Sequence, residues 1–86
     1  MLGPVRKTIY SERYERFRRL LIAERERVGI TQTQLADALR RPQSFVSKYE
    51  TGERRLDVEE FLQIAEALQA DAPRIIQTLL HLPHEG

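Results

Sequence analysis

The 86-residue sequence contains no cysteine, which removes both a disulfide framework and a thiolate zinc site from consideration. It has no apolar run approaching the ~20 residues that span a bilayer. Met1 to Arg6 also lacks the long apolar stretch of a secretory signal, so a cytoplasmic location is the expectation. No window sustains period-two alternation of β-branched residues, and strands are therefore not predicted. Internal repeats and low-complexity linkers are absent. So are a glycine-rich phosphate loop, a paired set of buried carboxylates and a serine–histidine arrangement, and catalysis is not expected. His81 and His84 stand three apart, two ligands without a third, which leaves no metal and no cofactor in the expectation.

What remains is 41% hydrophobic and 31% charged, the balance of one soluble domain with one modest core. The net charge of +1 conceals a polarity. Residues 1 to 55 carry 13 basic against 7 acidic side chains, a net of +6, whereas residues 56 to 86 set Arg74 alone against six acidic groups, a net of −5. The first part is suited to meet a polyanion and the second is not.

Five helices are predicted. Residues 1 to 10, with Gly3-Pro4 and the basic pair Arg6-Lys7, form a flexible basic arm ahead of a domain spanning 11 to 86. Ser11 caps the first helix, which places Tyr14, Phe17, Leu21 and Val28 at helical spacing and stops at Gly29. Thr31 and Gln34 make a capping box, flanked by Ile30 and Leu35 as a hydrophobic staple, and the second helix buries Leu35, Ala36 and Leu39. Arg40-Arg41-Pro42 breaks that helix after two turns, and Pro42 suits the first turn of the next. The third helix, Gln43 to Thr51, buries Val46 and Tyr49 and stops at Gly52. Asp57 and Glu60 repeat the capping box, with Leu56 and Phe61 as the staple. The fourth helix then buries Phe61, Leu62, Ile64, Ala65 and Leu68. Asp71 and Pro73 open a fifth helix that carries Ile75, Ile76, Leu79, Leu80 and Leu82 and ends before Pro83.

Two short helices joined by so tight a connection must cross steeply, which is the geometry of a helix-turn-helix at about residues 31 to 51. The third helix has the division such a reader needs. Val46 and Tyr49 point one way, while Gln43, Ser44, Ser47 and Lys48 cluster on the other side. Gln43 can pair with both polar atoms of an adenine edge, Lys48 can donate to guanine, and the serines can donate or accept. Phe45 could touch a thymine methyl group, but packing against its own domain is the favoured reading. Arg41, Arg54 and Arg55 flank this helix as candidate phosphate clamps. Thr31 is a cap first, with its backbone near the same phosphates.

The ordered run Arg25…Gly29-Ile30-Thr31-Gln32-Thr33-Gln34-Leu35-Ala36, followed by Gln43-Ser44-Phe45-Val46-Ser47-Lys48-Tyr49-Glu50-Thr51-Gly52-Glu53-Arg54-Arg55-Leu56, resembles the lambda-repressor-like family of Cro and repressor domains and xenobiotic-response-element-type regulators. The match extends from about Leu20 to Leu80. The resemblance implies an all-α, compact five-helix DNA-binding domain with its helix-turn-helix at helices two and three. It implies base contacts at Gln43, Ser44 and Lys48, a phosphate contact at Gln32, and an ion pair between Arg25 and Glu50 that ties the first helix to the third. Family members often have glycine at the position of Arg40. A left-handed backbone at an arginine costs about 1 kcal/mol.

The expected function is a sequence-specific, double-stranded DNA-binding transcriptional regulator acting as a repressor. The large apolar residues Ile75, Ile76, Leu79, Leu80 and Leu82 exceed what one packed face requires, which suggests a homodimer seam. The competing use of some of them is to close the core against the first helix. A domain of this fold whose main partner is a protein, as in an antitoxin that docks a toxin, is the alternative function.

Overall fold

The computed structural model describes residues 11–81, and the basic arm at 1–10, Leu82 and His84 lie outside them. The five predicted helices are present: α1 Glu12–Val28, α2 Gln32–Leu39, α3 Gln43–Thr51, α4 Val58–Leu68 and α5 Ala72–Leu80. No strand occurs among the described residues. None of the described helices is long and apolar enough to cross a membrane.

All the described helices but α3 begin where a side chain satisfies one of the first free amides. Ser11 Oγ accepts from the Tyr14 amide at 3.1 Å. Thr31 Oγ1 accepts from the Gln34 amide at 3.0 Å while Gln34 Oε1 accepts from the Thr31 amide at 2.8 Å. The Asp57–Glu60 box is also closed in both directions, at 2.7 and 3.0 Å. Each such cap contributes about 1 kcal/mol. Pro42 differs from expectation by one position. It is the N-cap of α3, at φ −63 and ψ 151, and so stands just before the helix instead of in its first turn.

The ends are less uniform. Gly29 and Gly52 turn the chain at φ 86 and φ 89, a left-handed conformation that suits a residue without a Cβ. Arg40 and Gln69 end α2 and α4 in the same conformation, at φ 58 and φ 55. At Arg40 the turn returns two hydrogen bonds to α2: the Arg40 amide to the Asp37 carbonyl at 3.1 Å, and the Arg41 amide to the Ala36 carbonyl at 2.9 Å. These satisfy carbonyls that the helix end leaves open and offset a strain of about 1 kcal/mol.

α1 packs against α3, α4 and α5, and α2 against α3 and α4, so one core is shared by all five helices. Leu21, Leu35, Val46, Tyr49, Ile64 and Leu68 are its largest fully enclosed side chains. Burying each contributes about 1.5–3 kcal/mol. Phe17 meets the Phe61 ring edge-on with centroids 5.2 Å apart, which joins α1 to α4. Two apolar residues of α1 and α4 expected on the packed side do not take part. Leu62 is exposed because it lies outside the arc that Phe61, Ile64, Ala65 and Leu68 present to the core, on the side shared with exposed Val58. Val28, expected on the packed side of α1, is exposed in its last turn.

Candidate nucleic-acid interface

α3 presents two unlike sides. Phe45, Val46, Tyr49 and Glu50 are buried, while Gln43, Ser44 and Lys48 are exposed and Ser47 is half-buried. The polar side is therefore uncovered by the domain that carries it. Phe45 packs inward, edge-on to Tyr49 at 5.7 Å.

The angle of α3 is fixed by one carboxylate. Arg25 from α1 donates from Nε to Glu50 Oε2 at 2.7 Å and from Nη2 to Oε1 at 3.1 Å. Its Nη1 donates to the Ile30 carbonyl at 2.8 Å, so the guanidinium spans the α1–α2 connection as well. Gln32, at the start of α2, donates from Nε2 to Glu50 Oε1 at 2.8 Å. Gln43, at the start of α3, in turn donates from Nε2 to Gln32 Oε1 at 2.8 Å. The guanidinium's attraction to Glu50 outweighs the cost of burial and pushes the Arg25 pKa further up. Arg18, which the sequence pattern did not single out, donates to the Glu50 main-chain carbonyl and pairs with Glu15. It closes the end of α3 from the α1 side.

A second carboxylate organises the flanks. Arg54 donates from Nη1 to Glu60 Oε1 at 2.9 Å and from Nη2 to Oε2 at 2.8 Å, and Arg41 reaches Oε2 at 3.4 Å. Both guanidiniums lie over the Phe45 ring, Arg41 at 4.3 Å and Arg54 at 4.9 Å from its centroid. The charged hydrogen bond from Arg54, helped by the Asp57 amide, holds the Glu60 carboxyl well below its ordinary value, at about 2. Read from sequence, Glu60 is only the capping-box partner. Its contacts with Arg41 and Arg54 come from loops that the fold brings together, and no local pattern signals them.

Arg55 is exposed, 4.1 Å above the Tyr14 ring. The Tyr14 hydroxyl accepts from the Leu56 amide at 3.0 Å, which anchors that loop to α1. Thr31 is exposed and engaged in its capping box. The arginines thus line the two ends of α3, attached to the domain yet open to solvent along part of each guanidinium.

The set on α5 divides. Ile75 and Leu79 are buried in the chain's own core, whereas Ile76 and Leu80 are 41% and 64% exposed. Among the described residues, no group of three or more histidines, cysteines and acidic residues converges as a metal site would require.

Two short helices joined through Arg40-Arg41-Pro42, with the second held open on its polar side, define a helix-turn-helix domain. A model of the helix-turn-helix domain family matches residues 16–75. An XRE-family like protein from Pseudomonas syringae pv. tomato is 44% identical, with 91% of this chain and 95% of that one aligned at a TM-score of 0.82. A point mutant of the restriction-modification controller protein C.Esp1396I shares the fold at 20% identity and a TM-score of 0.73, over 81% of this chain and 93% of that one. No curated protein sequence matches. The chain belongs to the lambda-repressor-like, XRE-type helix-turn-helix family of DNA-binding transcription regulators.

Proposed function

We propose that this protein is a sequence-specific repressor that inserts α3 into the major groove of double-stranded DNA. The observation that carries this reading is the exposed Gln43, Ser44 and Lys48 on a helix whose opposite side is buried. Gln43, Ser44, Ser47 and Lys48 contact base edges, which in the major groove distinguish all four base pairs. Phosphates are held at the start of α2, by Gln32 and the backbone near Thr31, and at the ends of α3 by Arg41, Arg54 and Arg55.

The repressor works as a homodimer. Ile76 and Leu80, with Leu82 beyond the described residues, supply the seam, while Ile75 and Leu79 serve the core beneath it. Two copies then place their reader helices about 34 Å apart, one turn of DNA. A protein that stays monomeric on DNA would instead assign the Ile76–Leu80 pair to another partner, as the antitoxin reading requires.

The test compares two variants on a duplex selected from a random pool and on random duplex. Lys48→Ala is expected to reduce binding to the selected duplex by fivefold or more while leaving random duplex nearly unaffected. Arg54→Ala is expected to weaken both alike and to flatten the dependence of affinity on salt by about one counterion. Equal losses on both duplexes for both variants would contradict base reading by α3.

A further inference from the structure

We infer that Glu60 is a built-in competitor of the DNA backbone: its carboxylate occupies the Arg41 and Arg54 guanidiniums and so limits the affinity of the domain for any duplex. This rests on the reading that these arginines hold phosphates at the ends of α3, and it adds the chain's own rival for them.

Carboxylate and phosphate present a guanidinium with the same pair of acceptor oxygens. Arg54 already gives two N–H groups to Glu60, at 2.9 and 2.8 Å. Arg41 gives one to the same carboxylate at 3.4 Å, longer than the roughly 2.7–2.9 Å of a charge-assisted bond. Glu60 therefore attracts Arg41 without fixing its direction. Other groups fix the position of both cations. The Phe45 ring lies 4.3 Å from the Arg41 guanidinium and 4.9 Å from that of Arg54. The Arg41 amide is bonded to the Ala36 carbonyl at 2.9 Å, and Arg54 Nη1 also donates to the Arg55 carbonyl at 3.1 Å. Loss of the Glu60 charge would thus leave both guanidiniums beside α3 and no longer neutralise one of them. Two cations and one anion carry a net charge of +1, which becomes +2. Glu60 is buried, so water screens its pull on the arginines only weakly. Both arginines are half-buried and open to a phosphate.

The experiment measures dissociation constants of the wild type, Glu60→Gln and Glu59→Gln on selected and random duplex over a range of salt. Glutamine keeps an acceptor for the Asp57 amide, which Glu60 Oε1 now meets at 3.0 Å. Glu60→Gln should bind both duplexes about three- to tenfold more tightly at low salt and steepen the salt dependence by up to about one counterion. Glu59 is exposed and hydrogen-bonds to neither arginine among the described residues, so Glu59→Gln, with the same change in net charge, should gain little. A merely structural role for Glu60 would weaken binding instead. Unchanged or weaker binding by Glu60→Gln, or an equal gain in Glu59→Gln, would overturn the competition. In the wild type, the Glu60 carboxyl carbon resonance should move as either duplex is added, because Arg41 exchanges carboxylate for phosphate. A resonance unmoved at saturation would overturn it too, whether or not the variant folds. Arg41→Ala and Arg54→Ala separate this from the reading beneath it. If neither weakens binding, the phosphate contacts fail and the competition with them. If both weaken it and Glu60→Gln brings no gain, the competition alone fails.

Discussion

Glu50 and Glu60 are two carboxylates that each gather arginines, and they differ in how far water is excluded from the partners. Glu50 is 6% exposed and its arginine, Arg25, 14%. Glu60 is nearly as enclosed, but Arg41 and Arg54 are 36% and 39% exposed. A buried charge that loses its partner cannot recover the loss from solvent, whereas an exposed guanidinium has water as a substitute. The same ion-pair chemistry therefore has a rigid structural use at the centre of the domain and an adjustable one at its edge. The first sets the angle of α3. The second keeps two cations beside it with donors to spare.

The largest difference between the two should appear on removing an arginine. Arg25→Ala strands Glu50 and is expected to destabilise the fold by about 3–5 kcal/mol, a fall in Tm on the order of 12–40 °C for a domain of this size. A fall of only a few degrees by thermal unfolding would place Glu50 in the same class as Glu60 and break the comparison.

Acid should separate them next. Because folding lowers the Glu60 pKa from 4.5 to about 2, the ionised form favours the folded state. Its contribution is complete above pH 4.5 and is lost as pH falls toward 2. Glu60→Gln keeps a capping-box side chain but removes the charge. The variant should be less stable than the wild type at pH 7, by no more than about 2 kcal/mol once the exposure of the two arginines is allowed for. The gap should close by pH 2. A constant gap from pH 7 to pH 2 in chemical denaturation would show that the charge is not what Glu60 contributes.

The smallest effect belongs to Tyr49, beside Glu50. Its hydroxyl is buried with no hydrogen-bond partner among the described residues, and burial pushes its pKa up. A polar atom at that depth without a partner carries an unrelieved desolvation cost. Tyr49→Phe should leave Tm unchanged or raise it by a few degrees. A loss above about 1.5 kcal/mol would mean that the hydroxyl has a partner in solution.

The features legible in the sequence are those with a local cause. Thr31 with Gln34, and Asp57 with Glu60, mark helix starts because donor and acceptor lie three residues apart. Gly29 and Gly52 mark ends because their backbone conformation favours glycine. Arg40 adopts the left-handed turn that the short α2–α3 connection demands, but Gln69 does so with no glycine expectation or tight turn to announce it. The polar side of α3 was legible for the same reason, since period alone separates Gln43, Ser44, Ser47 and Lys48 from Val46 and Tyr49. Contacts across the fold were not. Arg18 reaches Glu50 from 32 positions away, and Arg41 joins Arg54 on Glu60 only once α2 has packed against α4. The apolar residues of α4 and α5 show the limit of composition. Leu62, Ile76 and Leu80 are as hydrophobic as their neighbours, and their rotation on the helix alone leaves them in water.

The most direct measurement is a titration of isotope-labelled protein with its selected duplex, following backbone and side-chain resonances at low salt. The largest shifts should fall on Gln43, Ser44, Ser47 and Lys48, with smaller ones at Gln32, Arg41 and Arg54 and their reversal on adding salt. Shifts centred on α4 or α5, with α3 unmoved, would contradict a reader helix at Gln43 to Thr51.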